Sequence, residues 1–314
     1  MQILLLKVAS LFSGCGGLDL GFKNAGFEIV LVNDSWNIAL ETYRKNNRGS
    51  NYKIIDGDVT EKKVSEEIIN FSKKQKIDIM IGGPPCQDFS SAGIRNGHGD
   101  KANLTPEFAK IAVETKPKWI VMENVNTIAS IGEGQLNECK KILYASNYAV
   151  TTVILNAADY GIPQNRKRLF LFCRLGGKDN EILPFLEEQK LPRKTVKQFM
   201  PEISSGHDGT NFFYRHPRSY KRRAIFSVDE ASPVIRGVNR PIPKTYHIHP
   251  LDATKDLLKV RSLTTEERAR IQSFPKTFIV LGNKGERELQ IGNAVPPMLG
   301  EIIAKSIMVF ESRN

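Results

Sequence analysis

The chain has 314 residues, of which 40% are hydrophobic and 25% charged, the balance of a folded globular protein and not of a disordered one. No stretch approaches the roughly 18–20 apolar residues of a membrane span, and residues 1–8 lack the basic start and cleavage site of a signal peptide, so a soluble, cytoplasmic protein is expected. The length favours two domains over one, and the formal net charge of +11 invites a polyanionic partner such as nucleic acid.

Up to about residue 175, short β-rich runs alternate with helical ones. Residues 7–13 predict a strand that ends in Gly14-Cys15-Gly16-Gly17, and residues 18–25 a helix stopped by Gly26. A strand over 27–33, a helix over 35–46 and a strand over 53–56, closed by Gly57-Asp58, follow. Then come a helix over 64–74, a strand over 77–81, a helix over 105–115 with Pro106 in its first turn, and a strand over 118–122. A helix over 132–146 precedes strands over 148–155 and 168–174, which lack a clear helix between them and predict an antiparallel hairpin at the sheet edge. Strands alternating with helices predict βαβ units and a mostly parallel sheet, an α/β fold.

After Gly176-Gly177 the character changes. Residues 176–260 are rich in Pro, Arg, Lys and His with little periodicity, and residues 211–223 interleave aromatics with cations. Regularity returns over 263–274, a helix capped by Thr264 or Thr265. A loop, Gly292-Asn293-Ala294-Val295-Pro296-Pro297, leads to an apolar helix from Met298. The expected division is a large domain of residues 1–175 with 290–314, and a smaller, irregular domain of residues 176–289.

Four constellations carry chemistry. The Gly14–Gly17 turn between first strand and first helix permits close approach of a nucleotide-like ligand. Asp34 and Asp58, at the ends of the next two strands, are placed to accept from a ribose hydroxyl and an adenine amino group, or to act as turn formers. Cys86, in Gly82-Gly83-Pro84-Pro85-Cys86-Gln87, is a thiol mounted on a rigid loop at a strand's carboxyl end. Glu123, in Glu123-Asn124-Val125, is a carboxylate at the same kind of edge, where burial would raise its pKa and make it a proton donor. Arg166 and Arg168, alternating in Gln164-Asn165-Arg166-Lys167-Arg168, point to one face if extended. The four cysteines (Cys15, Cys86, Cys139, Cys173) have no paired spacing, which argues against a metal site or disulfide framework; Cys139 and Cys173 read as packing thiols.

Taken in order, these motifs resemble the DNA (cytosine-5)-methyltransferases of bacterial restriction–modification systems. Leu11–Gly17, Pro84-Pro85-Cys86-Gln87, Glu123-Asn124-Val125 and Gln164–Arg168 are similar to that family's motifs, as are residues 261–275 and Gly292-Asn293-Ala294-Val295-Pro296. The resemblance spans nearly the whole chain. Asp34 stands where many members carry Glu, and Asp100-Lys101-Ala102-Asn103 departs from the family's usual sequence after the nucleophile loop.

The resemblance implies a Rossmann-like large domain that binds S-adenosyl-L-methionine (AdoMet) and a smaller target-recognition domain. It implies cofactor contacts from Phe12, Gly14, Cys15, Gly16, Gly17, Asp34, Ser35, Trp36, Asp58, Val59, Pro85, Asn293 and Ala294. Catalysis would rest on Cys86, Glu123, Arg166 and Arg168, with DNA contacts from Gln87, Ser90, Arg95, Arg215, Arg218, Arg222, Arg236 and Arg240. The expected reaction moves a methyl group from AdoMet, leaving S-adenosyl-L-homocysteine, to C5 of a flipped-out cytosine in double-stranded DNA through a Cys86–C6 adduct. No metal is expected, and the protein would act as a monomer on DNA beside a separately encoded restriction endonuclease. Three rivals are a tRNA methyltransferase on the same scaffold, a nicotinamide-dependent oxidoreductase and a catalytically dead DNA-binding module. The first lacks its Cys-Phe-Thr signature, the second its Gly-x-Gly-x-x-Gly spacing, and intact Cys86, Glu123 and Arg168 argue against the third.

Overall fold

The computed structural model describes residues 6–85, 104–130, 132–204, 211–217 and 222–314. Its strands are β1 (Lys7–Leu11), β2 (Glu28–Asp34), β3 (Lys53–Asp56), β4 (Ile79–Gly82), β5 (Trp119–Val125), β6 (Tyr148–Asn156), β7 (Gln164–Asn165), β8 (Lys167–Leu175), β9 (Phe212–Tyr214), β10 (Ile225–Ser227), β11 (Ser232–Pro233) and β12 (Val260–Ser262). The helices are α1 (Gly17–Asn24), α2 (Asn37–Asn46), α3 (Lys62–Gln75), α4 (Leu104–Thr115), α5 (Glu133–Ala145), α6 (Leu183–Glu188), α7 (Val196–Phe199), α8 (Thr265–Ile271), α9 (Lys284–Asn293) and α10 (Pro297–Arg313).

Seven strands form one sheet in the order β3-β2-β1-β4-β5-β8-β6. The first five are mutually parallel, and β8 runs antiparallel to both β5 and β6. The expected hairpin of the last two strands is present, but β8 inserts between β5 and β6, leaving β6 at the edge. Buried β1, β4 and β5 are nearly continuous apolar runs because both sheet faces are covered. One core gathers Leu18 and Phe22 of α1, Leu40 and Tyr43 of α2, and Leu299, Ile303 and Ile307 of α10. The opposite core gathers Val64 and Ile68 of α3, Phe108 and Ala112 of α4, and Leu136 and Leu143 of α5. Helices α1 and α10 touch backbone to backbone: a Cβ at Gly21 would lie 2.4 Å from the Pro297 carbonyl oxygen.

A second, smaller unit contains a three-stranded sheet, β10-β9-β12, and its own apolar clusters around Val196, Phe213, Leu263 and Ile271, and around Tyr214, Ile225 and Tyr246. Ile182 and Leu186, beyond the expected boundary at 176, belong to the large-domain core, while Ile291 packs in the small one. These apolar side chains change cluster partners at points other than where the composition shifts. The helix expected over 263–274 is shorter. Thr264 caps it through a capping box with Glu267, and Ser273 adopts a left-handed φ of 67° just past its end. Helix α9 covers residues 284–291, left unassigned from the sequence, and also Gly292 and Asn293, which were expected to begin a loop. No helix among the described residues is long and apolar enough to cross a membrane.

Candidate active site

The register of the parallel strands brings the predicted motifs to one edge of the sheet. Leu11 is level with Asn33 on one side and Gly82 on the other, Gly82 with Met122, and Asp34 with Asp56. Everything just beyond these residues therefore gathers at the carboxyl ends of the strands, where open α/β sheets bind ligands.

On the β1–β3 side, the glycine turn is built on left-handed backbone at Phe12, Gly14 and Gly16, with φ of 54°, 54° and 86°. A Cβ at Gly14 would meet nothing within 4 Å, whereas at Gly16 it would strike the Tyr43 ring and at Gly17 the Val295 carbonyl, 2.3 Å away. Gly14 thus faces open space and Gly17 is needed for packing. The backbone N–H of Gly14 donates to Asp34 Oδ2 (2.7 Å), and that of Trp36 to Asp34 Oδ1 (2.8 Å). Asp34 is therefore a turn former. Burial raises its pKa against hydrogen bonds from the backbone amides of Trp36, Gly14 and Ser35. Ser35 is exposed and Trp36 half-buried at the start of α2. Asp58 accepts from the N–H and hydroxyl of Thr60, both at 2.9 Å, and Val59 is buried. Buried Asn33 donates to the carbonyls of Ile55 and Gly57 and so fixes the end of β3 against β2.

Cys15 departs from its expected role in one respect. Its thiol is buried, faces the Gln290 carbonyl at 3.8 Å and is pushed up to about 12 by burial, so only its backbone is left to the cofactor loop. Asn293 and Pro85 are exposed and Ala294 half-buried; the Ala294 Cβ would lie 3.1 Å from a Cβ at Gly17. Open space above Gly14, an anchored carboxylate on β2, another carboxylate after β3 and a turn at 293–295 fit a nucleoside-bearing amino-acid cofactor.

On the β4–β5–β8 side, Glu123 is not beyond its strand but within it, paired with Phe170 of β8. Arg168 pairs with Val125, two residues along the same face, and this diagonal lets Arg168 Nε reach Glu123 Oε1 at 2.9 Å. Burial raises the Glu123 pKa, opposed by Arg168 and Arg166. A Cβ at Gly83 would lie 3.3 Å from Glu123 Oε2, so the chain three residues before Cys86 passes the carboxylate. Asn124 donates to the Pro84 carbonyl (3.1 Å) and accepts with Oδ1 from the Val125 N–H (2.8 Å), tying that loop to β5. Cys86, Gln87, Ser90, Arg95 and Arg218 lie outside the described residues.

Arg166 does not share a face with Arg168. It precedes β8 and is fully buried. Its Nη1 donates to the carbonyls of Ile235 and Gly292, and its Nη2 to those of Gly292 and Asn293, at 3.1–3.4 Å. The expectation that both cations point to one face is corrected: the terminal nitrogens of Arg166 are committed to backbone oxygens, because the chain bends between β7 and β8.

In the small unit, three predicted DNA contacts converge. Arg240, Arg236 and Arg215 all act on His216, whose pKa is lowered first by burial and then by these cations. Arg240 and Arg222 are exposed. Neighbouring Arg223 is occupied otherwise, ion-paired with Glu230 and stacked over Phe226 at 4.4 Å. Residues missed from the sequence include Gln164, Gln272 and the buried pair Arg268–Glu288. The only signal for Gln164, Arg268 and Gln272 was placement inside the motif runs 164–168 and 261–275; Glu288 lies in neither.

The sequence profile of the C-5 cytosine-specific DNA methylases matches residues 6–309. The chain belongs to this family. It is 45% identical to Type II methyltransferase M.HindV of Haemophilus influenzae, covering 98% of this chain and 97% of the relative. It is 42% identical to Type II methyltransferase M.HgiDI of Herpetosiphon aurantiacus, covering 97% and 95%. In fold it is similar to the S. pombe Dnmt2 methyltransferase, with a TM-score of 0.64, 16% identity and coverage of 98% and 99%. A TM-score of 0.63 at 17% identity, with the same coverage, relates it to Spodoptera frugiperda DNMT2. As a member of this family the protein is a DNA cytosine-5-methyltransferase of restriction–modification type, with AdoMet as methyl donor. Among the described residues no cluster of His, Cys, Asp and Glu could hold a metal ion.

Proposed function

We propose that this enzyme methylates C5 of a cytosine flipped out of a short, specific duplex sequence, through a covalent bond between Cys86 and C6. The observation that carries this reading is the buried Glu123–Arg168 pair beside Gly83, the glycine from which the chain runs through two prolines to Cys86.

C6 cannot be reached within the base stack, so the cytosine leaves the helix at a cost of a few kcal/mol. The Cys86 thiolate adds to C6, and its electron pair makes C5 nucleophilic. Glu123, its carboxyl raised by burial, donates a proton toward N3 as the sulfur–carbon bond forms. Arg168 keeps Glu123 oriented and supplies a donor for the base carbonyl. AdoMet, when bound along Phe12, Gly14–Gly17, Asp34–Trp36, Asp58, Val59, Pro85, Asn293 and Ala294, supplies an electrophilic methyl group for C5. Loss of the C5 proton then restores the double bond and expels Cys86 as thiolate.

Gln87, Ser90 and Arg95 in the loop after the nucleophile, with Arg215, Arg218, Arg222, Arg236 and Arg240 of the smaller unit, contact DNA. Arginine is suited both to guanine edges and to phosphates. The enzyme acts as a monomer in the cytoplasm and protects host DNA from a separately encoded endonuclease.

Incubation with AdoMet and DNA containing 5-fluorocytosine tests the scheme, because fluorine blocks the proton removal that releases Cys86. The expected result is a covalent protein–DNA adduct that maps to Cys86 and is lost in Cys86→Ala. Absence of any adduct on sequence-diverse DNA overturns it.

A further inference from the structure

We propose that Arg166 is a positioning residue that couples the cofactor site to the DNA site, holding the turn at Gly292–Ala294 and the segment Ile235–Gly237 onto the base of β8. The inference rests on the proposed cofactor role of Asn293 and Ala294 and the proposed DNA role of Arg236.

Three elements meet at this guanidinium. From the cofactor side come the carbonyls of Gly292 and Asn293; from the recognition side comes the carbonyl of Ile235. A second clamp runs alongside. Gln164 accepts from the Ile235 N–H (2.8 Å) and donates to Gln272 Oε1 (2.7 Å). Gln272 in turn donates to the carbonyls of Ile291 (2.6 Å) and Ala294 (3.2 Å). The two segments are also packed backbone on backbone, since a Cβ at Gly292 would lie 2.1 Å from the Gly237 nitrogen. On the far side, Val295 abuts Gly17 of the glycine turn, and Arg236 lies one residue from Ile235.

Burying a guanidinium without a paired carboxylate is expensive, and an apolar side chain would fill the same space at lower cost. The fork of Arg166 does what an apolar group cannot: it fixes the relative register of two loops from different parts of the chain. A ligand that orders one loop thus finds the other already ordered, and by linkage the effect is reciprocal.

The test measures equilibrium dialysis of radiolabelled S-adenosyl-L-homocysteine with the full-length protein, with and without unmethylated, PCR-amplified genomic DNA. DNA is expected to tighten binding in wild type, and Arg166→Lys, which keeps the charge but loses the fork, is expected to shrink that tightening on the order of tenfold. Turnover at saturating AdoMet and DNA should stay within about threefold of wild type, while both KM values rise. Gln272→Leu, which removes only the second clamp, must move the coupling in the same direction. An unchanged coupling factor in Arg166→Lys overturns the proposal. So does a loss of about 100-fold in kcat with S-adenosyl-L-homocysteine binding intact, which would mark a contact to the base. If wild type forms no 5-methylcytosine at all, the proposed function fails; if it does and the coupling is insensitive to Arg166, only the junction fails.

Discussion

The sheet edge and the smaller unit hold their polar groups by different means. At the edge, strand register does the placing: Asp34, Gly83, Glu123 and Arg168 lie along one edge because the ladders end level with one another, and Glu123 meets Gly83 and Arg168 there. In the smaller unit the strands have only three residues, and the work falls to side chains. Arg268, buried with Glu288, donates to the Arg236 carbonyl; Glu288 also accepts from Asn239 and Thr265. The proposed chemistry thus sits on ladders, whereas the proposed reading surface sits on a lattice of side chains over a small core.

The comparison can be broken at either end. The largest effect is expected at the edge: Glu123→Gln removes the proposed proton donor and should lower kcat by roughly 10²–10⁴-fold with the fold intact, measured by tritiated methyl transfer and circular dichroism. In the smaller unit, Glu288→Gln leaves Arg268 buried and unpaired. It should cost about 3–5 kcal/mol in urea unfolding and weaken DNA binding with it.

A pH test addresses the edge from below. Asp19, buried beneath the glycine turn where Ser10 donates to it, has its carboxyl raised from 3.8 to about 7 by burial. The folded state therefore holds a proton that the unfolded chain releases near pH 4. Stability is full below that pH and falls as pH rises to about 7, where it levels off. Asp19→Asn removes this dependence and should gain on wild type between pH 4 and 7, by on the order of 3 kcal/mol in thermal or urea unfolding. A stability difference that is flat with pH would show that Asp19 is ionised in the fold. The smallest effect belongs to the reading surface: exposed Arg240→Ala should reduce the log–log salt slope of DNA binding by ~0.9 and leave kcat unchanged.

The alternating sheet, the glycine turn and the place of the Glu123 carboxylate at the sheet edge were legible in the sequence, because each depends on local rules: short apolar runs between helical stretches, and left-handed turns. The short strands of the smaller unit were not, since three residues give no periodicity to read. Nor was it legible which apolar cluster Ile182 and Ile291 would join. Arg166 and Arg168 show the limit most clearly. Two alternating cations in one motif predict one face and one role. The bend between β7 and β8 sends Arg168 to Glu123 and Arg166 into a cluster of carbonyls up to 127 residues away in sequence. Residue type and spacing determined which groups were available for chemistry; which partner each one met was decided only when distant backbone oxygens and a strand diagonal came together in the folded chain.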